Sequence, residues 1–142
     1  MVQRILWRKT MKVISIKEPY ASLIRNNIKH VETRSWKTKY RGELYIHASM
    51  STVDKKYYQK EGLSELIQDL ELHYGHIICK CELIDCIEMT QNYIDDMRKN
   101  NFVEYCCGAY EIGRYAWVLD GIEIITPIKA KGKLGIWNYE NA

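Results

Sequence analysis

A succession of short strand-like runs, each closed by a turn or helix signal, most restricts what this chain can fold into. Met11–Ile16 reads as a strand with Val13 and Ile14 apolar. Glu18-Pro19-Tyr20 then opens a helix, because proline fits the first helical turn. Tyr20, Leu23, Ile24 and Ile28 follow helical spacing, and Asn26-Asn27 is a stop signal. After a turn at Tyr40-Arg41-Gly42, residues 43–48 alternate Leu44, Ile46 and Ala48 against Glu43, Tyr45 and His47, a half-buried strand pattern. Ser51 with Asp54 resembles a capping box, so a helix is expected to about Glu61. Gly62 interrupts it, and Leu63, Leu66, Ile67 and Leu70 continue a helical stripe that Tyr74-Gly75 closes. A long strand is expected over His76–Glu88 and a short helix over Thr90–Asn100, with Tyr93, Ile94 and Met97 on one side. Residues 101–113 form a loop or short helix. Tyr115–Leu119 and Ile122–Ile125 are strand-like around Asp120-Gly121, Pro127 breaks that run, and Leu134–Tyr139 is a last strand. Five to six strands with two or three intervening helices make an α+β domain, which closes most economically as a small β-barrel with flanking helices.

Between the first helix and the Tyr40 turn lies the densest polar run, Ile28-Lys29-His30-Val31-Glu32-Thr33-Arg34-Ser35-Trp36. Lys29, Glu32 and Arg34 fall within six residues and can converge on one small polar ligand. On a strand, His30, Glu32, Arg34 and Trp36 share a face. In a tight turn, Lys29 and Glu32 are neighbours instead. Either geometry puts a cation beside Glu32, so an internal ion pair that holds the loop and a ligand site are both open readings.

The chain of 142 residues is the size of one domain. Met11 is a candidate internal start, with Met1–Thr10 a loosely attached extension and residues 11–142 the domain proper. Hydrophobic residues at 46% and charged residues at 27% are ordinary for a globular protein, but eleven Tyr and four Trp against one Phe favour half-buried or ligand-facing rings. No apolar run approaches the roughly 20 residues of a membrane span, and the start lacks a secretory signal pattern. The five cysteines (Cys79, Cys81, Cys86, Cys106 and Cys107) show no disulfide framework and no C-x2-C pair for zinc. Reduced thiols and a cytoplasmic setting are expected, with Cys79 and Cys81 sharing a buried strand face with Ile77 and Leu83. Vicinal Cys106-Cys107 is a candidate redox-sensitive pair. No metal or cofactor motif is present.

Charge is unevenly spread. Residues 1–41 hold eleven Lys and Arg against two acids, whereas residues 42–142 hold ten against sixteen. A basic segment interleaved with Trp7, Tyr20, Trp36 and Tyr40 suits a polyanion, with charge on phosphates and rings on bases; a solvated basic surface is the plainer alternative.

Several ordered motifs resemble the ASCH domain family (activating signal cointegrator homology). Val13–Ile24 resembles its opening, and Asn27-Ile28-Lys29-His30-Val31-Glu32-Thr33-Arg34 its G-x-K-x-x-E-x-R signature. Ser35-Trp36, Tyr40-Arg41-Gly42, Ile46–Ser49, Gly113–Leu119 and Lys131–Trp137 extend the likeness, which runs from about Met11 to Tyr139. The chain departs from the family pattern in two places. Asn27 stands where glycine is usual, and Glu18-Pro19-Tyr20 replaces Gln-Pro-Trp, placing a negative charge near the expected cleft. The resemblance implies a PUA-like barrel, a cleft where the signature faces the last strands, and RNA as the partner. One related group resembles an amidohydrolase acting on N-acetylcytidine through a lysine, a threonine three positions later and a distant glutamate. Carried over, the lysine is Lys29, the threonine position holds Glu32, and the glutamate has no secure counterpart, with Glu111 the one candidate.

In such a cleft each residue has a role. Arg34 offers a planar fork for phosphate or a base carbonyl. Glu32 accepts from an exocyclic amine, and Lys29 contacts a phosphate. Tyr20, Trp36 or Trp117 stacks on a base, and Ser35 adds a polar contact. Arg114 reaches the cleft or lies on the surface. His47, on the polar face of its strand, titrates near neutral pH or is structural. For hydrolysis, Lys29 and Glu32 are the catalytic candidates, with Glu32 as general base. The leading expectation is a domain that binds single-stranded RNA or a modified nucleotide. The alternatives are a metal-independent hydrolase (an amidohydrolase or ribonuclease) and a protein-interaction domain.

Overall fold

The computed structural model describes residues 9–52 and 62–141. The helix expected between Ser51 and Glu61, and most of the Met1–Thr10 extension, fall outside the described residues. Strands β1 (Lys9–Glu18), β2 (Val31–Arg34), β3 (Gly42–Thr52), β4 (His76–Glu88), β5 (Tyr115–Lys129) and β6 (Ile136–Asn141) form one mixed sheet in the order β2-β5-β4-β3-β1-β6. Among the described residues only the β1–β3 pairing is parallel. Among the described residues, helices α1 (Tyr20–Arg25), α2 (Leu63–Ile67), α3 (Gln91–Asn100) and α4 (Phe102–Cys106) join the sheet in an α+β architecture.

The expected barrel does not close. No ladder among the described residues joins β2 at one edge of the sheet to β1 or β6 at the other. β6 pairs with β1 only as far as Ile14↔Ile136. Beyond that point Ser15 meets β2 through a side chain instead, as Arg34 Nη2 donates to the Ser15 carbonyl at 2.8 Å. A cleft takes the place of the missing seam.

Helix α1 has six residues, too few for intrinsic stability. It persists because Leu23 and Ile24 are fully buried, each contributing roughly 1.5–3 kcal/mol, together comparable to a nucleation penalty of about 4 kcal/mol. One core cluster combines Ile14, Ile16, Ile24, Leu44, Ile46, Ile78, Cys79 and Trp117. On the opposite face Met11, Val13, Tyr45, Ile77 and Trp137 form a second. This second layer corrects the half-buried reading of β3: Tyr45 and His47 are as buried as Leu44 and Ile46. It also separates Ile77 from Cys79 and Cys81. The β4 register shifts between Ile77 and Cys79, and that irregularity resets the alternation. All five cysteines are free, and burial pushes the Cys79 thiol up to about 12.

Asp120-Gly121 does not divide two strands. Pairing with β4 runs on past it, from Glu82↔Asp120 to Lys80↔Glu123, with a register irregularity there. Pro127 is tolerated because β2 pairs only with residues 115–118, which leaves the rest of β5 one free edge. Strand β6 begins two residues later than expected, at Ile136, and Leu134 is 98% exposed.

Asn27 adopts φ 60°, the left-handed conformation that its place in the signature requires. Asn27→Gly is expected to leave stability unchanged within about 0.5 kcal/mol, whereas Asn27→Val should lose roughly 1–2 kcal/mol. Urea denaturation midpoints of the two variants check this.

Candidate functional site

The turn after α1 places the charged signature. The amides of Ile28 and Lys29 both donate to the Leu23 carbonyl, at 3.0 and 3.1 Å, which swings the chain inward. Lys29 is fully buried. Its Nζ donates to the carbonyls of Val31, at 2.6 Å, and Cys107, lies 3.6 Å from Glu32 Oε1, and stands 5.0 Å from the centre of the Tyr20 ring. Three acceptors match the three N–H donors of an ammonium. Glu32 Oε2 is 3.0 Å from Arg34 Nε, so one carboxylate lies between two cations.

Glu104 anchors the start of β2. Its carboxylate accepts from the amides of His30, at 2.7 Å, and Val31, at 3.2 Å, and lies 3.2 Å from His30 Nδ1. His30 is therefore turned away from Glu32 and toward α4. Sequence reading missed Glu104 because its partners lie more than seventy residues away.

A cleft of about 1100 Å³ opens over this group. Of the expected site residues, Tyr20, Glu32, Arg34, Ser35, Trp36, His47 and Arg114 line it, as does Glu111. Lys29 and Trp117 do not reach its wall. Lys29 lies beneath Glu32. Trp117 is fully buried and donates its indole N–H to the Trp36 carbonyl at 3.3 Å. Trp36 packs against Trp117 edge-on, with centroids 4.7 Å apart, and remains 37% exposed, so its ring is open to the cleft. Arg114 donates to the carbonyls of Ala109, at 3.1 Å, and Thr33, at 3.2 Å, fastening the loop after α4 to β2. Glu18 does not face the cleft as expected. It is fully buried, accepting from the Ser22 amide and hydroxyl and from the His73 amide.

The far wall is the segment Lys131-Gly132-Lys133, the start of the Lys131–Trp137 stretch that carries part of the family likeness. A Cβ on Gly132 would come within 2.9 Å of His47 Cε1 and Ser15 Oγ, so the absence of a side chain lets this segment lie against the sheet. His47 holds it there. His47 Nε2 donates to the Ala130 carbonyl at 2.7 Å, so Nδ1 accepts from Ser15 Oγ at 3.0 Å, and Ser15 Oγ accepts from Trp137 Nε1 at 3.0 Å. Burial lowers the His47 pKa, with the Ala130 hydrogen bond opposing and His76 assisting. His47 thus ties the Lys131–Lys133 segment to the sheet while lining the cleft. Tyr110 also lines the cleft, and burial, followed by the nearby Glu104 carboxylate, raises its pKa strongly.

The family model of the ASCH domain matches residues 14–127. Activating signal cointegrator 1 of Homo sapiens is 29% identical over 85 residues, an alignment covering 55% of this chain and 15% of that protein. The chain thus corresponds to a small part of that relative's length. No helix among the described residues is long and apolar enough to cross a membrane.

Lys29→Met removes one partner of a buried ion pair and is expected to destabilise the fold by roughly 3–5 kcal/mol in urea titration. For His47, the folded-state pKa lies below the ordinary 6.5, so its neutral form is favoured by folding. Stability should hold above about pH 6.5 and fall as pH drops from there through the lowered folded value. Thermal melts across pH 5–8 should show this slope in the wild type and lose it in His47→Gln.

Proposed function

The chain belongs to the ASCH domain family, and we propose that it is a nucleic-acid-binding domain that takes single-stranded RNA or a modified nucleotide into the cleft. The observation that carries this reading is the composition of one concave surface. Lys17, Arg34, Arg114, Lys131 and Lys133 line the same space as Tyr20, Trp36 and Tyr110. Cations from the basic first third and from the acidic remainder of the sequence meet there, five of them against the two carboxylates Glu32 and Glu111. Lysines on the Lys131–Lys133 segment neutralise phosphates, and the exposed face of Trp36 stacks on a base. Arg34, anchored by Ser15 and Glu32, retains guanidinium N–H groups for a phosphate or a base carbonyl.

Hydrolysis of an acylated nucleoside is the second reading, favoured by the direct contact of Lys29 with Glu32. Lys29 Nζ faces three acceptors and lies beneath the cleft wall, which makes it a support for Glu32 rather than a nucleophile. Glu32 is then the residue that would activate water.

Fluorescence anisotropy with a labelled single-stranded RNA tests binding. Affinity should fall steeply between 50 and 200 mM salt, with a log–log slope of about −0.7 per phosphate contacted. Arg34→Ala should weaken binding by about tenfold or more, and Lys131→Ala with Lys133→Ala should flatten the slope. Affinity that ignores salt overturns the reading. Turnover of N-acetylcytidine that disappears in Glu32→Gln would put the hydrolase in its place.

A further inference from the structure

Tyr110 occupies an unusual position in the cleft wall. The residue is only 8% exposed, yet it lines the cleft together with Glu32 and Arg34. Its ring is held on several sides: the Tyr105 ring lies 5.4 Å away, Tyr93 stacks at 6.5 Å, and a Cβ on Gly108 would stand 3.2 Å from Tyr110 Cε2. The hydroxyl is shielded from solvent and has no hydrogen-bond partner among the described residues. A buried hydroxyl left in that state costs about 1–3 kcal/mol. Native structures seldom keep such a group without a reason.

The neighbouring carboxylates point to one. Glu104 is committed to the amides of His30 and Val31. Glu32 faces Lys29 and Arg34 but has one cation on each oxygen, and each carboxylate oxygen can accept more than one hydrogen bond. An O–H donor without an acceptor and a carboxylate with remaining acceptor capacity therefore line the same cleft. A phosphate fits poorly here, since it would place a second anion against Glu32. A neutral group with an N–H beside an acceptor atom fits both. The Watson–Crick edge of an unpaired nucleobase has that pattern, and single-stranded RNA is commonly read along it.

We propose that the Glu32–Tyr110 end of the cleft reads the Watson–Crick edge of an unpaired nucleobase, Glu32 accepting from the base N–H and Tyr110 donating to the adjacent acceptor. This deepens the RNA-binding reading and rests on it. It divides the cleft by chemistry: the base edge enters beside Glu32, and phosphates lie toward Lys131 and Lys133. Contact with the shielded hydroxyl takes a side-chain adjustment of the kind common on binding.

Tyr110→Phe and a pair of RNAs test the assignment. The first RNA is a single strand of uridine and guanosine. The second carries 3-methyluridine and 1-methylguanosine, which block the base N–H without changing charge. In anisotropy the wild type should bind the methylated strand about tenfold more weakly, and Tyr110→Phe should bind the unmodified strand about tenfold more weakly with the wild-type salt slope. The variant should melt no lower than the wild type, because it removes an unpaired buried hydroxyl. Equal affinity for the two RNAs, or a Tyr110→Phe that binds as the wild type does, overturns the base-edge assignment while leaving salt-sensitive RNA binding in place. Absence of salt-sensitive binding to either strand overturns the RNA reading itself, and the assignment with it.

Discussion

The buried ammonium of Lys29 is the interaction on which the rest of the site depends. It joins three parts of the chain that share no ladder: the turn after α1, the start of β2, and the end of α4 at Cys107. A charge this deep is tolerable only when its donors are matched, and here two carbonyls and one carboxylate match them. Glu32 is held upright by that contact from below, and Arg34 is held by Glu32. The orientation of the cleft wall thus follows from one lysine that does not line the cleft.

The signature was legible as a cluster because its residues are close in sequence, and a short strand keeps Glu32 and Arg34 on one face. Helix α3 was legible for a local reason too: Thr90 caps it by accepting from the Tyr93 amide, and Ile94 follows at core spacing. What escaped was set by distant partners. Tyr45 and His47 looked solvent-facing until Trp137 and Ala130, more than eighty residues on, covered them. Trp117 looked like a stacking ring, but its place between β4 and β2 buries it. Glu18 looked like a charge at the cleft, and its three donors include an amide more than fifty residues away. Alternation along a strand reports one face, and it fails where both faces are covered or where a bulge resets the phase, as it does at Ile77.

Leaving the sheet open has a chemical advantage over closing it. A sealed seam would consume the backbone groups of β1 and β2 on each other. Here Arg34 spans the gap with one hydrogen bond to Ser15, so the two strands approach without pairing, and their side chains face a shared space. The same Ser15 also serves His47 and Trp137 through its hydroxyl. One small residue therefore connects the wall that carries Arg34 to the wall that carries Lys131 and Lys133.

The pairing of β6 with β1 has a temporal consequence. Thr10 lies opposite Glu140, and Val13 opposite Trp137, so β1 acquires its second neighbour only when the last strand arrives. During synthesis β1 can pair with β3 early, but its other edge waits while more than eighty further residues emerge. Non-local pairings of this kind form late and slowly. Ser15 gains its contact from the Trp137 indole at the same moment. The wall opposite the charged signature is therefore completed late: a nascent chain reaching only through β5 would have the signature in place but would lack the strand that pairs with the outer edge of β1.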